Sequence, residues 1–146
     1  KRNQHDMIGY NSRLDEIQAA ILDIKLKHIN KLIKKRIDVA EAYYKLIKND
    51  KIRLPYRDIN GKHTFNQFTI RVENRKKLEN HLKKYNIPYG IYYPKPIYKY
   101  KAYANYKDNY LPMVEKVSKQ CLSLPIYPEL ELKDIKTISN ILNDYK

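Results

Sequence analysis

The sequence predicts a small α/β domain in which one long helix precedes a short sheet packed with helices. Three observations predict this fold class. An apolar stripe at helical spacing runs through the first third of the chain. Short apolar or alternating runs follow, and capped amphipathic segments separate them. A chain of 146 residues can bury one hydrophobic core, so we expect a single domain over residues 1–146.

The long helix is predicted over residues 13–49. Ser12 is a candidate N-cap residue, and Asp15 three residues later completes a variant of the capping box. Apolar residues then recur at spacings of three and four, beginning with Leu14, Ile17, Ile21 and Ile24. We expect this face to lie in a core or in an interface, and a break in the helix near Asn30 is an alternative to one continuous helix.

The mixed α/β part is predicted over residues 52–146, and it opens with a strand and a helix. The run HTFNQFTIRV alternates from Phe65 to Val72, which is typical of a half-buried strand. Asn74 is a plausible N-cap residue for the helix that follows. A second strand is predicted over residues 87–93.

The last third of the chain predicts two more helices and a third strand. Pro94 and Pro96 favour an extended, ordered loop, because proline fixes φ and restricts the residue before it. Pro112 is well placed in a first helical turn, and this helix leads into a short strand before Pro125. The run ELKDIKTISNILNDY predicts a final amphipathic helix.

The composition excludes several classes of protein. The net charge of +14 is carried by 30 basic residues, of which 23 are lysines spread over every segment, and no nucleic-acid-binding motif accompanies them. No stretch is apolar for long enough to span a membrane, and the first residues do not resemble a secretory signal. Cys121 is the single cysteine, which fits a reducing compartment. We therefore expect a cytoplasmic protein that binds neither nucleic acid nor a membrane.

The sequence lacks a glycine-rich phosphate loop, paired metal ligands and a nucleophile elbow, so we expect no metal.

Two short groups of polar or aromatic residues have no obvious structural role. The step Asn11-Ser12-Arg13 precedes the apolar stripe, and the run YYPKPIY contains two adjacent tyrosines. On the residues alone, Asn11 shapes a turn and Arg13 is solvated, or the two bind a ligand. Gly90 lies beside the tyrosines, where glycine permits a turn or a close approach.

Four runs of the sequence resemble the C-terminal part of the DegT/DnrJ/StrS-type sugar aminotransferases. They are GYNSRLDEIQAAIL, HTFNQFTIRVENRKKLENHL, GIYYPKPIYKYKAY and LSLPIYPEL, in the order and approximate spacing of that family. The resemblance covers residues 5–145. It implies the C-terminal small domain of a fold-type I pyridoxal-phosphate enzyme, and we expect the large domain with the Schiff-base lysine to be absent from this chain.

The resemblance also implies functional residues. In that family the asparagine of GYNSR reaches from one subunit to the cofactor phosphate of the other, and the arginine lies near phosphate or substrate. Asn11 and Arg13 are therefore implied to bind pyridoxal phosphate in a homodimer with shared sites, and Arg13 also to contact substrate. Tyr92 and Tyr93 are implied to line the sugar-nucleotide pocket, with strand packing as the alternative. Tyr98, a third substrate-binding candidate, stands where many members carry histidine.

The implied reaction transfers an amino group, usually from glutamate, to a nucleotide-linked keto sugar. Such a reaction serves the synthesis of a surface polysaccharide or another glycan, and NQFTIRV with YYP most resembles members that act on 3-keto sugars. No lysine of this chain matches the Schiff-base motif, so we assign no catalytic residue and expect the chain alone to be inactive. Two alternatives stay open: a relative in which histidine replaces that lysine and the reaction is a dehydration, and a non-catalytic domain that dimerises or binds partners.

Overall fold

The computed structural model describes residues 6–11, 13–58, 60–106 and 110–146. Within these ranges the regular elements are α1 (Glu16–Leu26), α2 (Ile29–Leu46), β1 (Phe68–Arg71), α3 (Arg75–Lys84), α4 (Pro112–Gln120), β2 (Cys121–Leu124) and α5 (Leu132–Asn143). Two 3₁₀ helices, Ile97–Lys99 and Lys101–Tyr106, lie between α3 and α4. A small sheet packed with helices follows a helical N-terminal segment, which confirms the predicted fold class. None of the described helices is long and apolar enough to cross a membrane.

Helix α1 begins at Glu16, three residues later than the sequence predicts. Asp15 has an extended backbone, with φ −67° and ψ 145°, and its side chain does not cap the helix. Its carboxylate instead accepts a hydrogen bond from the Arg13 guanidinium at 2.9 Å. Ser12, the predicted N-cap residue, lies outside the described residues.

The predicted long helix over residues 13–49 is interrupted at Lys27 and His28. The backbone of His28, with φ −111° and ψ 4°, leaves the α-helical region, and its N–H donates to the carbonyl of Lys25, three residues back. The interruption lies two residues before the break near Asn30 that the sequence allowed. Helix α2 ends at Leu46 because the backbone of Ile47 is extended.

Helices α1 and α2 differ in what they bury. Helix α2 buries Val39, Ala40 and Tyr43, whereas no residue of α1 is buried. The predicted apolar stripe is at least half exposed at each of its first four residues. The exposed fractions are 64% at Leu14, just before α1, and 77%, 50% and 61% at Ile17, Ile21 and Ile24 of α1. The stripe therefore does not join the core of this chain, and its role in an interface stays a prediction.

The sheet has two strands and a single bridging residue on each outer edge. Arg53 pairs with Arg71 beside β1, and Gly90 pairs with Ser123 beside β2. The antiparallel register joins Phe68 to Leu124, Thr69 to Ser123, Ile70 to Leu122 and Arg71 to Cys121. The strand predicted over residues 87–93 is wrong, because Gly90 alone pairs. At its start the N–H of Ile87 donates to the carbonyl of Leu82 in α3, and Pro88 has no N–H to donate.

The core lies between one face of this sheet and helices α2, α3 and α5. Phe68, Ile70 and Val72 are buried, which confirms the alternation predicted for β1. Tyr43 of α2 packs on Phe68 with ring centroids 5.0 Å apart. Burial raises the pKa of Tyr43, whose hydroxyl donates to the carbonyl of Pro125 at 2.9 Å.

Two asparagines cap the C-terminal ends of α2 and α5 reciprocally. The Asn49 side chain, just after α2, donates to the carbonyls of Leu142 at 2.9 Å and Tyr145 at 2.7 Å. The Asn143 side chain, at the end of α5, donates to the carbonyl of Leu46 at 3.0 Å. Since the last carbonyls of a helix have no partner within it, this exchange satisfies both helix ends at once.

We predict that Asn49→Ala lowers the free energy of unfolding by about 1 to 3 kcal/mol, because it leaves half-buried carbonyls without donors. Asn140→Ala is the matched control, since Asn140 is exposed on α5. Urea denaturation followed by circular dichroism measures both variants. Equal stability of the two variants would contradict a capping role for Asn49.

Candidate functional site

Asn11 and Arg13 lie together on an exposed segment directly before α1. Both are exposed, and the side chain of Arg13 is 82% accessible even though it pairs with Asp15. An amide N–H and a guanidinium are both donors suited to phosphate or carboxylate oxygens. The chemistry of these two side chains therefore fits an anionic group.

Tyr92 lines a separate cavity beside the sheet, with a volume of about 410 Å³. Its lining consists of Asn66, Gln67, Pro88, Tyr89, Gly90, Tyr92, Ser123, Leu124, Pro125 and Ile126. Tyr93 does not line this cavity, but its ring meets that of Tyr92 edge to face with centroids 6.0 Å apart. The two tyrosines are 40% and 63% exposed, so both rings are accessible to a ligand.

Hydrogen bonds between neighbouring strands fix the wall of this cavity. The N–H of Gly90 donates to the carbonyl of Ser123 at 2.9 Å, and the N–H of Ser123 donates to the carbonyl of Gly90 at 2.8 Å. The hydroxyls of Thr69 and Ser123 lie 2.8 Å apart. The segment that carries Tyr92 is thus joined through β2 to β1.

Tyr98 does not line this cavity and is only 7% exposed. Its hydroxyl donates to Oε1 of Glu115 at 2.8 Å, and Nζ of Lys99 lies 2.6 Å from the same carboxylate. These hydrogen bonds, first from Lys99 and then from Tyr98, hold the pKa of Glu115 below its usual value. Burial, and next the bond to Glu115, raise the pKa of Tyr98. The cluster ties the loop after Tyr93 to α4.

The structure brings some of the predicted residues together and separates others. Tyr92 and Tyr93 are adjacent, and Asn11 and Arg13 are two residues apart in the sequence, but neither Asn11 nor Arg13 lines the cavity of Tyr92. Tyr98 lies apart from both pairs, in contact with Glu115. A single chain therefore does not unite the candidate residues around one cavity among the residues that the structure describes.

Sequence reasoning missed three polar residues around these groups. Asn66 and Gln67 line the cavity, but in the sequence they stand within an alternating run, which predicts strand positions. Glu115 carries no motif, although an acidic residue in the first turn of a helix of a basic chain is a weak signal. Their positions become visible only when distant segments are placed side by side.

Comparison with known proteins finds relatives along nearly the whole chain. A protein of Geobacillus stearothermophilus named pleiotropic regulatory protein is 40% identical over 133 residues, which are 87% of this chain and 36% of that protein. The dTDP-3-amino-3,6-dideoxy-alpha-D-galactopyranose transaminase of Aneurinibacillus thermoaerophilus is 34% identical over 145 residues, which are 99% of this chain and 40% of that protein. The chain thus spans at most 40% of the length of these two relatives.

The fold agrees with these sequence matches. The X-ray crystal structure of S. venezuelae DesV in complex with a ketimine intermediate is similar with a TM-score of 0.85 and 33% identity, over 99% of this chain and 40% of that one. The model of the DegT/DnrJ/EryC1/StrS aminotransferase family matches residues 1–143. The resemblance carried by the four sequence runs is confirmed, and the chain belongs to the DegT/DnrJ/EryC1/StrS aminotransferase family.

Proposed function

We propose that residues 1–146 form the C-terminal small domain of a cytoplasmic aminotransferase that uses pyridoxal phosphate. The enzyme transfers an amino group from glutamate to a nucleotide-linked keto sugar, in the synthesis of a surface polysaccharide or another glycan. Membership of the family supports this proposal, as does the transaminase name of the Aneurinibacillus relative. That name includes a 3-amino sugar, which favours a 3-keto substrate. The Schiff-base lysine comes from a large domain outside these residues.

The position of α1 is the observation that carries this proposal. The helix directs an apolar stripe out of the core of its own chain, and Asn11 and Arg13 lie at its start. Burying an aliphatic side chain contributes about 1.5 to 3 kcal/mol, so the stripe favours association. A second subunit or a large domain packed on α1 brings the Asn11 and Arg13 donors to a site that this chain does not complete alone. In a homodimer with shared sites, the partner that packs on α1 is the second subunit.

Each candidate residue has a role that its chemistry supports. Pyridoxal phosphate supplies the electron sink for amino transfer when it is bound. Asn11 donates its amide N–H to a phosphate oxygen, and Arg13 directs its guanidinium to phosphate or to substrate. Tyr92 and Tyr93 offer rings for stacking and hydroxyls for hydrogen bonds to the nucleotide sugar. Tyr98 supports these two through the loop that Glu115 anchors. While its hydroxyl donates to Glu115, the same oxygen can contact substrate only as a hydrogen-bond acceptor.

We predict that the full-length protein, incubated with pyridoxal phosphate, glutamate and a dTDP-linked or UDP-linked 3-keto sugar, yields the 3-amino sugar. Mass spectrometry with ¹⁵N-glutamate detects the transferred nitrogen. Loss of water from the sugar without nitrogen uptake would instead identify a dehydratase. Absence of both reactions, together with no cofactor absorbance in the visible range, would indicate a non-catalytic domain.

We predict that Asn11→Ala weakens cofactor retention in the full-length protein while the fold persists. A hydrogen bond to a charged group contributes about 1.5 to 3 kcal/mol, so the affinity for pyridoxal phosphate should fall about tenfold to a hundredfold. Arg13→Ala should impair the sugar half-reaction at least as strongly as cofactor binding. Equilibrium dialysis measures retention, and Asn30→Ala, at an exposed asparagine of α2, is the control. Unchanged retention in Asn11→Ala would contradict the proposed contact.

A mixed dimer tests whether the site is shared between subunits. We pair one Asn11→Ala subunit with one subunit that lacks the Schiff-base lysine. If Asn11 acts across the subunit boundary, both lesions fall in one site and the other site is whole, so activity should return to about half of the unmodified dimer. If Asn11 acts within its own subunit, each site carries one lesion and activity stays at the level of the parent homodimers.

A further inference from the structure

The ring of Tyr92 lies directly against the backbone of Gly90. A Cβ atom placed on Gly90 would lie 2.5 Å from Cε2, 2.8 Å from Cζ and 2.9 Å from the hydroxyl oxygen of Tyr92. These are the three nearest atoms, and all belong to the side chain of Tyr92. Real Cβ atoms do not approach other atoms to 2.5 Å, so any other residue at position 90 requires the ring of Tyr92 to move from this position.

A side chain at position 90 is opposed by the lack of space beside Tyr92, and not by the backbone conformation of Gly90. None of the described glycines has a positive φ, so the backbone of Gly90 is open to an L-residue. Gly90 itself is held firmly, because it exchanges two backbone hydrogen bonds with Ser123 of the buried strand β2. When a methyl group is added, the exposed ring of Tyr92 is therefore the part that has to move.

We propose that Gly90 is a positioning residue for Tyr92, and that it sets the orientation in which Tyr92 meets the sugar nucleotide. The missing side chain lets the ring fold back on the edge of the sheet, where it lines the cavity together with Asn66 and Gln67. The inference rests on the proposed function for the identity of the ligand, and on the packing of the ring for the role of Gly90.

The position of the ring decides what the cavity can accept. A ring held against Gly90 leaves a cavity of about 410 Å³ lined by amide, hydroxyl and aromatic groups. A ring displaced by a methyl group enters that space or leaves the wall open. Since a hydrogen bond to a charged group of a ligand contributes about tenfold to a hundredfold in affinity, the position of the Tyr92 hydroxyl affects binding of the nucleotide sugar.

The test compares Gly90→Ala, Tyr92→Ala and the double variant in the full-length protein. We expect Gly90→Ala to weaken binding of dTDP-linked and UDP-linked 3-amino sugars by up to about tenfold to a hundredfold, with the KM for the keto sugar raised and the KM for glutamate unchanged. In the Tyr92→Ala background, Gly90→Ala should have no further effect, because the ring that it displaces is gone. An equal loss in both backgrounds, or no loss in either, would overturn the proposal.

A control separates this effect from a general cost of alanine. Gly61→Ala adds a methyl group that meets only the flexible side chain of Asp58, at 2.9 Å, in an exposed turn away from this cavity. Its affinity for the sugar nucleotides should equal that of the unmodified protein. Thermal unfolding should show all three single variants to be folded.

A spectroscopic measurement tests the role of Gly90 independently of the ligand. With 3-fluorotyrosine at position 92, Gly90→Ala should shift the ¹⁹F resonance, whereas Gly61→Ala should leave it unchanged. An unchanged resonance in Gly90→Ala would overturn the positioning role even if the enzyme is active. If the resonance shifts but neither sugar nucleotide binds to the unmodified protein, the proposed function fails while the packing role holds.

Discussion

Strand β2 forms hydrogen bonds along both edges, and the rest of the structure depends on this pairing. One edge pairs with β1, and on the other edge Ser123 pairs with Gly90. All four residues of β2 are buried, so the strand cannot slide without exposing apolar side chains and breaking both sets of bonds. This pairing fixes two parts of the molecule relative to one strand. They are the core formed with α2, α3 and α5, and the segment from Gly90 to Tyr93.

Local patterns sufficed to predict most of the elements but not their interruptions. The alternation in β1 and the Asn74 cap of α3, whose side chain accepts from the N–H of Lys77 at 3.0 Å, are determined by residues close in sequence. Phe65 is buried out of phase with β1 because its φ of 48° turns the chain before the strand begins. The sequence allowed the break between α1 and α2, but two residues late, because neither proline nor glycine marks His28. The turn at Phe65 also lacks such a marker, so the periodicity did not reveal it.

The candidate site could be predicted from the sequence only where a family motif marks it. Asn11, Arg13, Tyr92 and Tyr93 stand in recognisable runs, and the structure finds them exposed. Their supports carry no motif. Glu115 contacts Tyr98 from a helix, 17 residues further along the chain. The lack of space for a side chain at position 90 arises from the ring of Tyr92, which folds back on Gly90. Such relations depend on three-dimensional packing, which composition and spacing do not encode.

The exposed face of α1 connects two processes at the proposed site: the association of subunits and the binding of the cofactor. The apolar stripe favours association by a non-directional effect that does not specify the orientation of Asn11 and Arg13. A bound phosphate group requires those donors in one geometry, so it selects among associated forms. A ligand that binds only the assembled form stabilises it by about 2.7 kcal/mol at a hundred times its Kd. Under the proposed function, burial of the stripe therefore supplies the affinity between subunits, and the cofactor determines their register.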